Sequence, residues 1–339
     1  MDNPRLSVIV PTHNSQRILE PCLAAVRESH LKDYELIVVD DASTDASRSI
    51  ARRYADQVIE LQGHEDRSRA RNTGMRVARG SIFVFIDSDI VIQQDTLGKI
   101  DDYFTKHPGV DALTGLLSKQ HPHSDFFSQY KNLYMHYVFQ KLPARVNFLY
   151  GSVSAFKRGC MEGWDDKMEM GEDTALGQKM AAAGKCIHLF KGLEVVHLKK
   201  YSLVTFIRND FRIPFAWAKI FLRYQGWRQL FRHQTGFAHA SKGQILSVVL
   251  APMIFLGGMI HFPMRGSYLA LAFLIWFVLN LNFFRFLVRE KGIAFGIFSV
   301  LVTFLDHLVM AFGIVSGAVA FLGSMGVGSQ NRLCNFNKD

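Results

Sequence analysis

Two carboxylates close the run Ser81-Ile-Phe-Val-Phe-Ile-Asp87-Ser88-Asp89. The residues before them are apolar with little polar relief, which predicts a strand buried on both faces. Side chains at i and i+2 of an extended segment point the same way. Asp87 and Asp89 can therefore face one ligand at the carboxyl end of a buried strand, where open α/β sheets bind ligands. Hard oxygen donors with no cysteine nearby suit Mg²⁺ or Mn²⁺. Taken alone, Asp-Ser-Asp reads equally as a solvated turn. Two further acidic pairs stand elsewhere. Asp40-Asp41 closes the β-branched run that begins at Tyr34, and Glu172-Asp173 precedes Thr174. A pair before a helix can cap it or take a proton from a hydroxyl.

These residues need a frame. The β-branched run from Leu6 stops at Pro11 and predicts a first strand, followed by a polar loop through Asn14. Ser15 is expected to cap a helix running to Ser29, and Asp45 or Thr44 one running to Tyr54. Gln57 to Leu61 predicts a weaker strand, and Arg67 to Ala78 a helix stopped by Gly80. Strands alternating with helices at this spacing predict a parallel, doubly wound sheet. Beyond Asp89 the expected elements are a helix from Gln94 to Lys106, a strand from Val110 to Leu117 and an aromatic helix from Asp125 to Lys141. A strand from Asn147 to Phe156, broken at Gly151-Ser152, and a helix from Thr174 to Ala183 follow. Tyr130, Tyr134 and Tyr137 recur at helical spacing, as a core face or as the wall of an apolar groove.

The C-terminal third differs in kind. Residues 201–242 interleave Phe206, Phe211, Phe215, Trp217 and Trp227 with Arg208, Arg212, Lys219, Arg223, Arg228, Arg232 and Lys242. Basic amphipathic stretches of this type lie in membrane interfaces. Gln244 to Phe262 and Ser267 to Val288 each approach the roughly 20 apolar residues that span a bilayer. Ile293 to Gly323 is longer, with Asp306-His307 in its middle, and reads either as one tilted span or as two segments. The positive-inside rule puts Arg289-Glu290-Lys291 in the cytoplasm, and Pro263 to Gly266 outside. The N-terminus enters a strand almost at once with no signal-peptide core, so the first domain is expected on the cytoplasmic side of the membrane. The chain is thus divided as 1–200, 201–242, 243–325 (two to four spans) and a polar tail, 326–339.

Lys and Arg number 39 against 30 Asp and Glu, a surplus of +9 that favours anionic partners. Much of the positive charge lies beside the apolar runs, which excludes a nucleic-acid binder and points to membrane lipid. Four scattered cysteines with no CxxC exclude a disulfide framework.

The order of these motifs resembles the family 2 glycosyltransferases over residues 5–200. The carriers are Val-Pro-Thr-His-Asn14, Asp40-Asp41 with Ser-Thr-Asp45, Arg67-Ser-Arg-Ala-Arg71-Asn-Thr-Gly74, Asp87-Ser88-Asp89 and Glu172-Asp173. The resemblance implies the GT-A fold, a Rossmann-like nucleotide-sugar domain, here followed by interfacial helices and a transmembrane region. It implies a nucleotide-sugar site at Pro11, Thr12, Asn14, Asp41, Arg71, Asp87, Ser88 and Gly151. In it Asp41 takes the N3–H of uracil, with Asp40 as the other candidate, and Arg71 faces phosphate. It implies Mn²⁺ or Mg²⁺ at Asp89, with Asp87 and His197, and an inverting reaction in which Asp173, paired with Glu172, is the base. Arg223-Tyr-Gln-Gly-Trp-Arg-Gln-Leu has the letters of the processive motif Gln-x-x-Arg-Trp in the wrong order, which favours transfer of a single sugar. The expected function is transfer from a nucleotide-sugar, a UDP-sugar favoured, to a lipid-linked or membrane acceptor at the cytoplasmic face. The alternatives are a polyprenyl-phosphate glycosyltransferase using UDP or GDP donors, and a membrane scaffold with a decayed catalytic domain.

Overall fold

The computed structural model describes residues 3–168, 170–224, 238–260 and 264–326. Trp227, Arg228, Arg232, Pro263, the scrambled Gln-Gly-Trp at 225–227, Cys334 and all but the first residue of the tail lie outside the described residues. The chain forms two units, Met1–Ser202 and Leu203–Asp339.

The first unit is an α/β sandwich on one sheet. Its strands are β1 (Leu6–Thr12), β2 (Tyr34–Asp40), β3 (Gln57–Glu60), β4 (Ile82–Ile86), β5 (Ile90–Val91), β6 (Ala112–Leu117), β7 (Arg145–Val146), β8 (Val153–Lys157) and β9 (Ile187–His197). They lie in the order β3-β2-β1-β4-β8-β6-β9-β5, with β7 beside β9. Every residue of β1, β4 and β6 is buried, as their apolar composition requires. The helices between them are α1 (Leu19–Arg27), α2 (Ser47–Tyr54), α3 (Arg67–Val77), α4 (Thr96–Lys106), α5 (Phe126–Lys141) and α6 (Glu172–Ala182).

The chain winds outward from β1 through β2 to β3, then returns to lay β4 on the other side of β1. That reversal opens a crevice at the carboxyl ends of β1 and β4. Asp40, Asp41 and Asp87 all stand on this edge. The expected parallel sheet holds for β1 to β4 and fails after it. β8 runs antiparallel to both β4 and β6, and β9 returns parallel to β6. Strand direction leaves no mark on local hydrophobicity: four of the five residues of β8 are buried, nearly as in β4 and β6.

Close packing on β1 depends on one glycine. A Cβ on Gly74 of α3 would stand 2.5 Å from Ile9 Cγ2 and 3.2 Å from Val39 Cγ2. Ser15 does not cap α1, which begins four residues later; its carbonyl accepts from Ile18 and Leu19, and its hydroxyl lies 3.1 Å from Ser88 Oγ. Asp45 accepts from Ser47 N at 2.9 Å, in keeping with the expected start of α2. Tyr130 and Tyr134 of α5 are buried and Tyr137 half-buried, so the tyrosine repeat is a core face.

The second unit is all-helical: α7 (Leu203–Arg223), α8 (Lys242–Met259), α9 (Arg265–Lys291) and α10 (Ile293–Gly326). Segments of α8, α9 and α10 are long and apolar enough to cross a membrane. Helix α8 starts on a capping box between Ser241 and Gln244. α9 stops at Gly292, whose φ of 91° suits glycine. α10 runs unbroken through Asp306-His307, deciding between one segment and two; its 34 residues give about 50 Å of helix. His307 and Trp276 are buried together, the indole N–H donating to His307 Nδ1 at 2.9 Å. Asn280 donates to Ser247 Oγ at 3.1 Å, a polar tie between α9 and α8.

Gly313 and Gly317 of α10 lie one turn apart and face the backbone of α7. A Cβ on Gly313 would stand 2.5 Å from the Phe211 carbonyl oxygen, and one on Gly317 closer still to that of Phe215. Such small-residue stripes let helices associate where lipid removes the hydrophobic drive. Backbone cannot rotate aside. Gly317→Val is therefore expected to lower stability by about 1–3 kcal/mol, read as an earlier thermal transition of the detergent-solubilised protein. An unchanged transition would separate Gly317 from α7 packing.

Candidate active site

The crevice gathers four groups of residues. The first is Asp89 with His197. The two-residue strand β5 pairs antiparallel with the end of β9, Ile90 opposite His197 and Val91 opposite Val196. Leu198 N also donates to the Asp89 carbonyl at 2.8 Å. This strap sets His197 Nε2 3.1 Å from Asp89 Oδ2 across 108 positions of sequence. Burial works against charge on Asp89, but the nearby hydrogen-bonded His197, then Lys199, outweigh it and hold its carboxyl below the usual aspartate range.

The second group is a buried bridge. Arg71 of α3 is fully buried. It donates from one guanidinium nitrogen to Asp87 Oδ1 at 2.6 Å and from the other to Glu172 Oε1 at 2.9 Å. Its Cζ lies 4.5 Å from the ring centroid of Trp164, whose own edge contacts are Phe85 and Phe156. The sequence places Arg71 on a phosphate; the structure instead turns it inward, between two carboxylates. Asn72, one residue on, does not pack on the sheet. It exchanges hydrogen bonds with Trp164, Nδ2 to the carbonyl and Oδ1 from the N–H, each 2.8 Å. Trp164 is the functional neighbour that sequence reasoning missed.

The third group is Asp173. α6 starts two residues earlier than expected, at Glu172, after Gly171 in the left-handed region. Both acidic residues thus lie in its first turn, where the helix dipole favours negative charge. Asp173 Oδ2 accepts from Gly151 N at 3.0 Å and Oδ1 from Thr174 N at 2.6 Å. Burial, then the charge of Glu172, push the Asp173 carboxyl up to about 6. Glu172 moves the other way: burial opposes its charge, but Arg67 and Arg71 more than compensate. Asp87 is raised, by burial first, with Arg71 opposing and Asp89 adding. Gly151 is the hub of the crevice. A Cβ there would lie 3.4 Å from Asp173 Oδ2 and 3.5 Å from both Arg71 Nη2 and Asp87 Oδ2.

The fourth group surrounds Asp41. Asp40 is fully buried, held by Arg48 at 2.7 Å and by Ser43 N at 3.1 Å, and so serves the fold. The Asp41 carboxylate accepts from Glu65 N at 2.7 Å and from Asp66 N at 3.1 Å, and His64 Nδ1 lies 2.7 Å from its Oδ2. Asn14 Oδ1 accepts from Thr44 N at 2.8 Å, and Asn14 N donates to Ser43 Oγ. Thr12 is buried beneath, its carbonyl accepting from Asp41 N; Pro11 precedes it within β1. Asn14, Ala42 and Asp66 all have positive φ without being glycine, a clustering of local strain typical of functional loops. His13, Asp41 and His64 also carry ligand atoms within 4.8 Å of one another, a possible cation site by distance.

Residues 7–163 match the family model described as glycosyl transferase family 2. They are a family 2 glycosyltransferase domain. The chain is 28% identical over 217 residues to glycosyltransferase GlyA of Streptococcus pneumoniae, spanning 59% of this chain and 31% of that protein. It is 30% identical over 117 residues to the putative teichuronic acid biosynthesis glycosyltransferase TuaG of Bacillus subtilis, 33% of this chain and 46% of that one. The matched stretches cover between 26% and 47% of the curated relatives' own length. Among solved structures, a mannosyltransferase from Pyrobaculum calidifontis, in complex with GDP-Man and Mn²⁺, shares the fold. The TM-score is 0.56 at 18% identity, over 96% of this chain and 88% of that one. The family 2 domain ends its match at residue 163, before Glu172, Asp173 and His197.

Proposed function

We propose that this protein transfers a single sugar, with inversion, from a nucleotide-sugar to a lipid-linked or membrane-associated acceptor at the cytoplasmic face of a membrane. The observation that carries the reading is the Arg71 bridge. It ties Asp87 of the Asp-Ser-Asp strand end to Glu172 of the Glu-Asp pair, so a donor station and an acceptor station share one crevice. Family membership of the domain supports sugar transfer, and three apolar helices support a membrane acceptor.

Asp41, at the end of β2, holds the nucleobase, with Pro11, Thr12 and Asn14 shaping its loop. Asp87 and Ser88 face the ribose and diphosphate, and Gly151 leaves room for the sugar. Asp173 takes the proton of the acceptor hydroxyl. Its raised pKa makes it a stronger base than an exposed aspartate, and Gly151 N aims one oxygen. Arg71 sets the distance between the stations rather than touching phosphate.

Asp89 and His197 suit Mn²⁺ or Mg²⁺. Their ligand atoms are 3.1 Å apart, close to the roughly 3 Å that separates neighbouring ligands in an octahedral shell. Both retain partial exposure to the crevice. Asp87 is the weaker candidate, since Arg71 engages one of its oxygens. Such an ion, when bound, supplies positive charge against the departing nucleoside diphosphate.

A donor screen of the purified full chain, reading nucleoside diphosphate release, tests the proposal. UDP-sugars are expected to turn over. GDP-sugars are the comparison, since the mannosyltransferase of the same fold was solved with GDP-Man. Asp89→Ala should lower transfer by about a hundredfold or more while leaving the protein folded, and EDTA should do the same to the wild type. Full activity in chelator would remove the metal from the proposal. No turnover of any sugar nucleotide would favour the scaffold alternative.

A further inference from the structure

His64 lies in the loop between β3 and α3, outside every motif that the sequence singles out. Its imidazole makes two contacts. Nδ1 lies 2.7 Å from Asp41 Oδ2. The ring stacks on that of His13, centroids 4.1 Å apart and planes inclined by 27°. His13 is itself fixed. Its Nδ1 lies 2.6 Å from the Asp41 carbonyl oxygen and must donate to it, which leaves Nε2 to accept from Asn14 Nδ2 at 3.0 Å. The result is a fixed aromatic face beside a buried carboxylate, with a flat ring laid on the one and a ring nitrogen set against the other.

Those are the two contacts that a nucleobase with a ring N–H would make here. We infer that His64 is an internal stand-in for the nucleobase, holding its place on His13 and Asp41 until the nucleotide displaces it. The inference rests on the reading of Asp41 as the base contact.

The hydrogen-bond inventory of Asp41 gives the reason for displacement. A carboxylate oxygen offers about two acceptor sites. Oδ2 accepts from Asp66 N and has His64 Nδ1 2.7 Å away, while Oδ1 accepts from Glu65 N and keeps one site. The carboxylate is 4% exposed, so little open space remains around it. An incoming N–H reaches Oδ2 only when His64 moves aside. The two backbone donors belong to the start of α3, where the Asp66 side chain accepts from Arg67 N. His64 is a side chain, 62% exposed, and leaves by rotation. The exchange trades one ring nitrogen beside the carboxylate for another and one stack for another. Being nearly balanced, it keeps the closed arrangement populated and weakens the apparent affinity by the open fraction. It also sharpens selection, because only a base that brings its own N–H restores what His64 gives up. Uracil and guanine do; cytosine presents a lone pair to the carboxylate instead.

A cation held by His13, Asp41 and His64 is the competing use of the same atoms. It fits less well, because both nitrogens of His13 are engaged in hydrogen bonds.

Calorimetric titration of UDP into the full chain in detergent, with Mg²⁺ present, tests the inference on three proteins. His64→Ala should tighten UDP by roughly fivefold to tenfold, the gain for a site open about a tenth to a fifth of the time. His64→Phe, which keeps a ring for the stack and loses the N–H, should tighten it less. Asp41→Ala should weaken it. Weaker binding by His64→Ala would overturn the inference and make His64 a direct base contact. Unchanged binding by His64→Ala, with Asp41→Ala still weakened, would overturn the inference alone. Unchanged UDP binding by Asp41→Ala would overturn the base reading and this inference together. Mn²⁺ titrated without nucleotide should not distinguish wild type from His64→Ala; a site lost with His64 would assign the cluster to a cation.

Discussion

Asp173→Asn is expected to bind UDP as the wild type does and to lose transfer by roughly a hundredfold to ten-thousandfold, the range that a positioned general base contributes. The substitution is nearly isosteric. The amide oxygen can still accept from Gly151 N or from Thr174 N, but not from both, since Asp173 now uses one oxygen for each. One lost hydrogen bond costs about 1 kcal/mol, too little to unfold the domain. The wild-type pH profile carries the same assignment. Burial and Glu172 push the Asp173 carboxyl up to about 6. The base must be ionised to act, so kcat/KM should be flat above that pH and fall about tenfold per unit below it. Stability runs the other way. A carboxyl raised in the fold favours the protonated form, so its contribution to stability is full below the ordinary value of 3.8 and is lost as pH rises through about 6. The protein is catalytically competent where this residue helps the fold least. Normal turnover by Asp173→Asn, or a profile with no inflection near 6, would take the base role from Asp173.

Arg71→Ala should be the most damaging single change in the first unit. It leaves Glu172, 3% exposed, and Asp87 facing each other with only Arg67, 3.3 Å from Glu172, beside them. Breaking a buried ion pair by removing one partner costs about 3–5 kcal/mol, visible as an earlier denaturation midpoint. Arg71→Lys is expected to recover little. A single ammonium cannot reproduce two N–H directions held by one planar fork. The indole of Trp164 lies against the guanidinium, so its fluorescence reports the loss directly. Replacing Glu172 by Gln in the Arg71→Ala background should restore part of the stability and none of the turnover. If Arg71→Ala kept wild-type stability and its damage were confined to UDP affinity, Arg71 would be a phosphate contact after all.

The strand ends were legible from the sequence because chemistry and periodicity coincide there. Apolar β-branched runs stop at Thr12, Asp40 and Ile86, and the polar residues that follow face the crevice. His197 was named only through the family resemblance; the structure places it at the end of β9. The place of Arg71 was not legible. Its helix is strongly basic, and nothing in its spacing distinguishes Arg71, wholly buried, from Arg67, which also reaches Glu172, or from Arg69, which pairs with Glu65. Its inward turn depends on Trp164 and Glu172, both more than 90 positions away. Helix α6 began early because Gly171 adopts a left-handed turn that pattern alone does not reveal. α10 continued through Asp306-His307 because Trp276, on another helix, satisfies the imidazole, so the polar pair is no break. His64 carries no motif at all; only the fold brings it to Asp41.

The strap between β5 and β9 bears on the order in which this protein is built. Asp89 leaves the ribosome early and His197 more than a hundred residues later, and the two meet only when the end of β9 docks beside β5. Contacts this distant in sequence form late, after the loops between them have closed. A nascent chain released at residue 163, where the family match stops, would hold most of the nucleotide loops and no pair of metal ligands. The proposed metal pair thus comes together only when β9 completes the sheet, five residues before the helices that follow begin.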